Sequence, residues 1–221
     1  MKDEEQGRPA GIFKFNLDNG KLIKKFLLDA PGEVHFFNDL VVNSAGDVFI
    51  SHMFSESSIY KISNDNDQLA ILYSSDIIKY PNGITLSDDE SKLYVAHSEG
   101  IAVVDISNGK ISPIQIPEGL KISHRESIDG LYYFNNSLIG IQPDIRTVQQ
   151  FHLDSTGTSI LKSTLLEVNH PMMNNPTTGE LVDDTFYYIA NAQFGSFNED
   201  GSLFSIERLY EPTILKVKIN D

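Results

Sequence analysis

The 221-residue chain contains no cysteine and no tryptophan, and sets only 17 lysines and arginines against 31 aspartates and glutamates. Without cysteine there is no disulfide scaffold, no thiolate-bound zinc or iron–sulfur cluster and no thiol nucleophile, so any metal must be held by oxygen or imidazole. The formal net charge of −14 argues against an extended basic face for nucleic acid and against attraction to anionic membranes. No apolar run approaches the roughly 20 residues that span a bilayer. Residues 1–10 (MKDEEQGRPA) lack the apolar stretch of a secretion signal. Neither observation selects a compartment, since a longer N-terminus would carry any such signal upstream. Also missing are a phosphate-binding loop, a dinucleotide fingerprint, a Gly-x-Ser-x-Gly nucleophile elbow and a His-Glu-x-x-His pair, which argues against NTPase, nicotinamide, serine-hydrolase and zinc-protease chemistry.

Short apolar runs rich in Ile, Val, Phe and Tyr alternate with Asn, Asp, Gly and Ser clusters every ten or so residues, which predicts an all-β fold. Residues 11–15 (GIFKF), 48–51 (VFIS), 92–96 (KLYVA) and 213–219 (TILKVKI) are typical strands. The turns between them, such as 18–20 (DNG), 44–47 (SAGD) and 107–109 (SNG), supply residues that tolerate positive φ or cap a chain reversal. The acidic cluster at 88–90 (DDE) falls in such a turn and reads as a solvated one.

Four segments repeat at blade-like intervals: 38–42 (NDLVV), 82–86 (NGITL), 129–133 (DGLYY) and 178–182 (TGELV). Each continues through a turn into a second strand and then one or two more. Four strands per 40 to 50 residues is the signature of a β-propeller blade, so 11–221 reads as one propeller domain behind a short tail at 1–10. A polar residue opening the first strand of each repeat would line the central channel at one mouth. Ahead of the first full repeat, 11–28 supplies two strands, the outer half of a blade whose inner half is expected upstream of Met1. The last repeat shows three strands. About four and a half blades are therefore present, and the open edges offer a route to association between copies.

Three motifs, Phe37-Asn38-Asp39-Leu40, Tyr80-Pro81-Asn82-Gly83-Ile84 and Ile128-Asp129-Gly130-Leu131, follow one another at this period. In that order they resemble the calcium-dependent six-bladed propellers of the regucalcin, gluconolactonase and luciferin-regenerating-enzyme superfamily. The resemblance implies one divalent ion, Ca²⁺ by preference, at the channel mouth, with Asn82 and Asp129 as direct ligands and Asn38 as a ligand or a holder of water or substrate. Oxygen donors with few formal charges suit Ca²⁺. A further ligand of these relatives, a Glu of the first blade, has no counterpart here. The implied activity is metal-assisted hydrolysis of a lactone or related ester in a small-molecule substrate, with Asp129, and less directly Asp39, as the carboxylate that activates water. Taken singly, Asn38 and Asp39 also read as turn caps and Asn82-Gly83 as a tight turn.

Six histidines are spread along the chain, none with helical metal spacing. His52 and His97 close equivalent second strands and read as structural. His35, His124 and His170 precede the motifs of three repeats, in loops expected to roof the mouth, and are the candidate substrate contacts. The Pro-punctuated loop 169–179 (NHPMMNNPTTG) is expected to shape that mouth. A non-catalytic propeller, serving as a ligand-binding or interaction scaffold, is the alternative, because propellers host unrelated functions.

Overall fold

The computed structural model describes residues 7–29, 31–54 and 57–219. They carry seventeen strands and three single-turn 3₁₀ helices. Three sheets are four-stranded antiparallel meanders: β3 (Phe37–Val42) to β6 (Leu69–Ser74), β7 (Ile84–Leu86) to β10 (Lys110–Pro113), and β11 (Leu131–Phe134) to β14 (Ile160–Val168). A two-stranded sheet, β1 (Ala10–Phe15) with β2 (Leu22–Leu28), precedes them. A three-stranded one, β15 (Gly179–Val182), β16 (Thr185–Ile189) and β17 (Ile214–Lys218), follows. This is the all-β, blade-by-blade propeller architecture expected from the repeats, including the two-stranded first sheet and the three-stranded last one.

Burial follows position within each blade. The middle strands are buried on both faces: β4 (Val48–His52), β8 (Lys92–His97) and β12 (Ser137–Gln142) show almost no exposed residue. Strands buried on both faces are largely apolar, which is why 93–96 (LYVA) and 138–141 (LIGI) carry no charged side chain. The outer strands β6, β14 and β17 keep exposed residues along their length, because only one of their faces meets the core.

The described residues divide into two compact units, one made of the chain to His97 with Ala102–Ser112, the other of Ser98–Ile101 with the chain from Pro113 onward. In the first unit, Phe49, Ile59, Ile84, Leu93, Val95 and Val104 form one core cluster. Phe26, Ile50, Tyr60 and Ile62 form another, onto which Ile12 of β1 packs. In the second unit the core joins Ile139, Ile141 and Val148 of one blade to Phe186, Tyr188 and Ala190 of the next. Tyr188 is 1% exposed and its hydroxyl has no hydrogen-bond partner among the described residues. Burial, with Glu167 nearby, pushes its pKa up to about 12.

Polar links tie the turns of neighbouring blades in the first unit. Asp89 caps its own turn, accepting from the Ser87 hydroxyl at 2.6 Å, the Ser91 N–H at 3.0 Å and the Ser91 hydroxyl at 2.8 Å. Those donors hold its carboxyl down at about 2. Glu90, in the left-handed region at φ 55°, accepts from the backbone N–H and hydroxyl of Ser44 at 2.6 and 2.9 Å. The acidic cluster is thus structural rather than a site.

In the second unit, His152 of β13 (Thr147–Leu153) pairs across the sheet with Lys162 and lies 3.0 Å from the Thr164 hydroxyl. Burial first, and the Lys162 charge second, lower its pKa from 6.5. Because the folded state resists protonation, the contribution of neutral His152 to stability is complete above pH 6.5 and is lost as the pH falls toward the lower folded value. An NMR titration is expected to place the His152 midpoint below 6.5, and Lys162→Gln to move it upward; a midpoint at or above the ordinary value would contradict this account.

Candidate functional site

The innermost strands begin with the same backbone arrangement in three successive blades. The Asn82 N–H donates to Ala96 O at 2.8 Å while the Ala96 N–H returns to Gly83 O at 2.8 Å. Asp129 and Gly130 do the same with Ile141, at 2.8 and 3.0 Å. Thr177 and Thr178 do so with Ile189, both at 3.0 Å. The structural counterpart of Asn82 and Asp129 in the last blade is therefore Thr177, one residue earlier than the 178–182 alignment places it. In the earliest of the four, Leu40 pairs with Ile50, as Ile84 pairs with Val95 and Leu131 with Gly140. Counting two residues back from each puts Asn38 in register. Asn38, Asn82, Asp129 and Thr177 are all half-buried.

The carboxylates beside this register hold neighbouring strand openings. Asp39 accepts from the Leu40 N–H at 2.8 Å and, through its other oxygen, from the Ile84 N–H at 3.1 Å. Its own N–H is held by the Ser51 hydroxyl at 3.0 Å. Asp39 thereby joins the heads of β3 and β7, a positional role for a residue considered as a second carboxylate for catalysis. In the second unit Asp129 Oδ2 accepts a short hydrogen bond from the Thr177 hydroxyl. Beside it the Tyr132 hydroxyl lies 2.8 Å from Thr178 Oγ1 and accepts from the Gly179 N–H at 2.7 Å. Both aspartates thus reach from one innermost strand to the next, a use the repeat spacing alone did not reveal.

The histidines separate. His35 is only 6% exposed, with its Nδ1 3.1 Å from Nε2 of His52, itself 1% exposed. Phe37 and Tyr60 close around the His52 ring edge-on, with centroids 5.6 and 5.2 Å away. His35 is therefore part of a buried aromatic pair and not an open contact on the roof of a mouth; its neighbour in sequence, Phe36, takes the exposed position. Glu33 Oε2 lies 3.3 Å from His35 Nε2 without the geometry of a hydrogen bond. His124 is exposed, in the left-handed region at φ 56°, and its N–H donates to Ser98 O at 2.9 Å. His170 is half-buried and its Nδ1 accepts from the Met172 N–H at 3.2 Å.

The loop from 169 to 178 does line a cavity. Arg146, Met172, Asn174, Asn175, Asn191 and Tyr210 surround an opening of about 480 Å³ in the second unit. Asn191 is 5% exposed and acts as a brace, donating to Glu211 O at 2.8 Å and accepting from the Thr213 N–H at 2.7 Å. Gln193 does likewise for Tyr210: its Nε2 donates to the carbonyl and its Oε1 accepts from the N–H, both at 2.9 Å. Gln142, by contrast, is fully buried and donates to Glu126 O. Of the two prolines that punctuate the 169–178 loop in the sequence, Pro171 lines the cavity.

Among the described residues no group of three or more His, Asp or Glu is placed to hold a metal ion. Asn38 and Asn82 belong to the first unit and Asp129 to the second. The donors offered at the strand openings are amide, hydroxyl and carboxylate oxygens, a set whose chemistry fits a hard divalent cation and not a soft one.

No protein-family model matches the chain, and no characterised protein matches it by sequence. Solved structures do. Regucalcin from Agrobacterium tumefaciens, described as a calcium-binding protein, aligns over 95% of this chain and 71% of its own, at 16% identity and a TM-score of 0.61. A gluconolactonase from Xanthomonas campestris aligns over 81% of this chain and 62% of its own, at 18% identity and 0.54. A luciferin-regenerating enzyme aligns over 83% and 61%, at 13% identity and 0.54. The chain has the propeller fold these proteins share, and the resemblance read from its motifs holds at the level of fold. It spans about three fifths of the gluconolactonase and of the luciferin-regenerating enzyme.

Proposed function

We propose that the protein is a divalent-ion-dependent hydrolase of a lactone or related ester, of the gluconolactonase type. The observation that carries this reading is the equivalence of Asn38, Asn82, Asp129 and Thr177, one oxygen-bearing side chain at the head of each innermost strand. By motif resemblance, Asp129 is assigned a carboxylate oxygen toward the ion, and Asn82 and Asn38 amide oxygens. A bound Ca²⁺ would polarise the carbonyl under attack and stabilise the charge developing on its oxygen. The chain's own residues supply the rest. Thr177 fixes the Asp129 carboxylate through Oδ2, leaving that group oriented to take a proton from the attacking water. The exposed His124 is the substrate contact in this reading. Asp39, with its oxygens on two backbone N–H groups, holds the strand heads in place.

The test is calorimetric titration of chelator-treated protein with Ca²⁺, beside hydrolysis of a panel of sugar and alkyl lactones. Saturable one-site binding that Asn82→Ala weakens by about tenfold or more, with ion-dependent turnover, is the expected result. Full affinity retained in Asn82→Ala would remove that residue from the ligand set. Ion binding without turnover would favour the second reading, an interaction scaffold, for which the exposed Phe194, Phe197, Leu203 and Ile206 speak.

A further inference from the structure

The cavity of the second unit carries two opposite charges that no group among the described residues uses. Asp144 and Arg146 are both exposed and both line it. They flank Ile145 on the 3₁₀ turn Pro143–Ile145. Among the described residues neither side chain makes a hydrogen bond or an ion pair, with the other or with anything else. The backbone of Arg146 is fixed: it sits in the left-handed region at φ 48°, its N–H bonded to Pro143 O at 3.1 Å and its carbonyl accepting from the Asn169 N–H at 2.9 Å. A non-glycine residue kept at positive φ by bonds on both sides is a position the fold specifies.

The rest of the wall is divided in the same way. The side-chain amides of Asn174 and Asn175 make no hydrogen bond among the described residues, although their backbone groups are pinned: the Asn174 N–H donates to Ala190 O at 2.9 Å, and Asn175 O accepts from the Ala192 N–H at 3.1 Å. Met172, 48% exposed, and Tyr210, 69% exposed, contribute apolar surface. About 480 Å³ is within the range of small-molecule sites.

We infer that this cavity binds a small zwitterion of the α-amino-acid type with an apolar side chain. Arg146 takes the carboxylate and Asp144 the ammonium, the Asn174 and Asn175 amides complete their hydrogen bonds, and the side chain lies against Met172 and Tyr210. A guanidinium reads a carboxylate through two parallel bonds, while a carboxylate and amide oxygens accept from an ammonium. Nothing in this depends on hydrolysis or on a metal ion.

The decisive experiment compares three probes on the full chain, with methyl NMR of Met172 as the readout: L-leucine, N-acetyl-L-leucine, which lacks the positive charge, and L-leucinamide, which lacks the negative one. Leucine is expected to saturate the Met172 shift about tenfold more tightly than either analogue, the loss of one charge-assisted pair. Arg146→Gln is expected to erase the preference over leucinamide alone, and Asp144→Asn the preference over N-acetyl-leucine alone. N-acetyl-leucine binding as tightly as leucine would reduce the cavity to an anion site and overturn the inference. A Met172 methyl that does not move at saturating leucine would overturn it too. Both side chains are exposed and make no hydrogen bond or ion pair among the described residues, so the variants are expected to fold.

Discussion

Asp129→Ala is expected to do two separable things: to destabilise the second unit by about 2 kcal/mol, the loss of a hydrogen bond to a charged group, and to weaken Ca²⁺ binding by about 100-fold or more. The first follows from geometry, since the Thr177 hydroxyl donates to Asp129 Oδ2 and both residues are half-buried. The second follows from the proposed ligand role. Two companions separate them. Asp129→Asn keeps an acceptor for Thr177 but removes the charge, so most of the stability should return while the affinity does not. Thr177→Val removes the hydroxyl and keeps the carboxylate, so stability should fall with the affinity changed by a few-fold at most. Urea unfolding and calorimetry on the same samples read both quantities. Equal Ca²⁺ affinity in Asp129→Asn and the parent would take Asp129 out of the metal site and leave it as a clamp between blades.

Gly179→Ala is expected to be at least as damaging, although it adds one methyl group. A Cβ at Gly179 would stand 2.3 Å from Tyr187 O and 2.6 Å from the Phe186 ring. The carbonyl belongs to the paired strand β16 and cannot rotate away. Phe186 is fully buried between Tyr132 and Tyr188, with centroids 4.9 and 5.9 Å away. Relief requires β15 to move off β16, which also breaks the bond from the Gly179 N–H to the Tyr132 hydroxyl. A loss of about 3 kcal/mol is expected, read as a lower urea midpoint and as faster hydrogen exchange along Gly179–Val182. Unchanged stability would mean that the two strands are not as closely paired as described. By contrast Gly20, with nothing within 4 Å, is open to a side chain in space, and only its φ of 67° resists one.

Ion binding and the Gly179 clash bear on different levels of the fold, and legibility in the sequence divides along the same line. The blade period was readable because each strand must alternate or run apolar according to its burial, and because Asn, Asp and Gly must appear wherever the chain reverses. Asn38, Asn82 and Asp129 were readable because they open strands at that period. Thr177 was missed by one residue: Thr178-Gly179 looks like Asn82-Gly83 in letters, whereas the backbone pairing with Ile189 fixes the register one position earlier. The burial of His35 escapes the sequence for a related reason. A loop histidine beside two phenylalanines gives no sign, in one dimension, of which ring turns inward, and it is the His52 contact at 3.1 Å that decides.

By itself, then, the sequence determined what depends on local chemistry and period: an all-β chain of four-stranded repeats, without thiol chemistry, with an oxygen-bearing residue at the head of each repeat. Tertiary structure decided what depends on which backbone groups are already satisfied. It turned Asp39 into a link between strand openings, set Thr177 rather than Thr178 against Asp129, and buried His35 against His52. It also left Asp144 and Arg146 at the rim of a cavity, bonded through their side chains to none of the described residues. The physical reason is common to all four. A side chain's role is set by the donors and acceptors that reach it, and these come from 45 positions away for Asp39, 48 for Asp129 and 17 for His35, and from none of the described residues for Asp144 and Arg146.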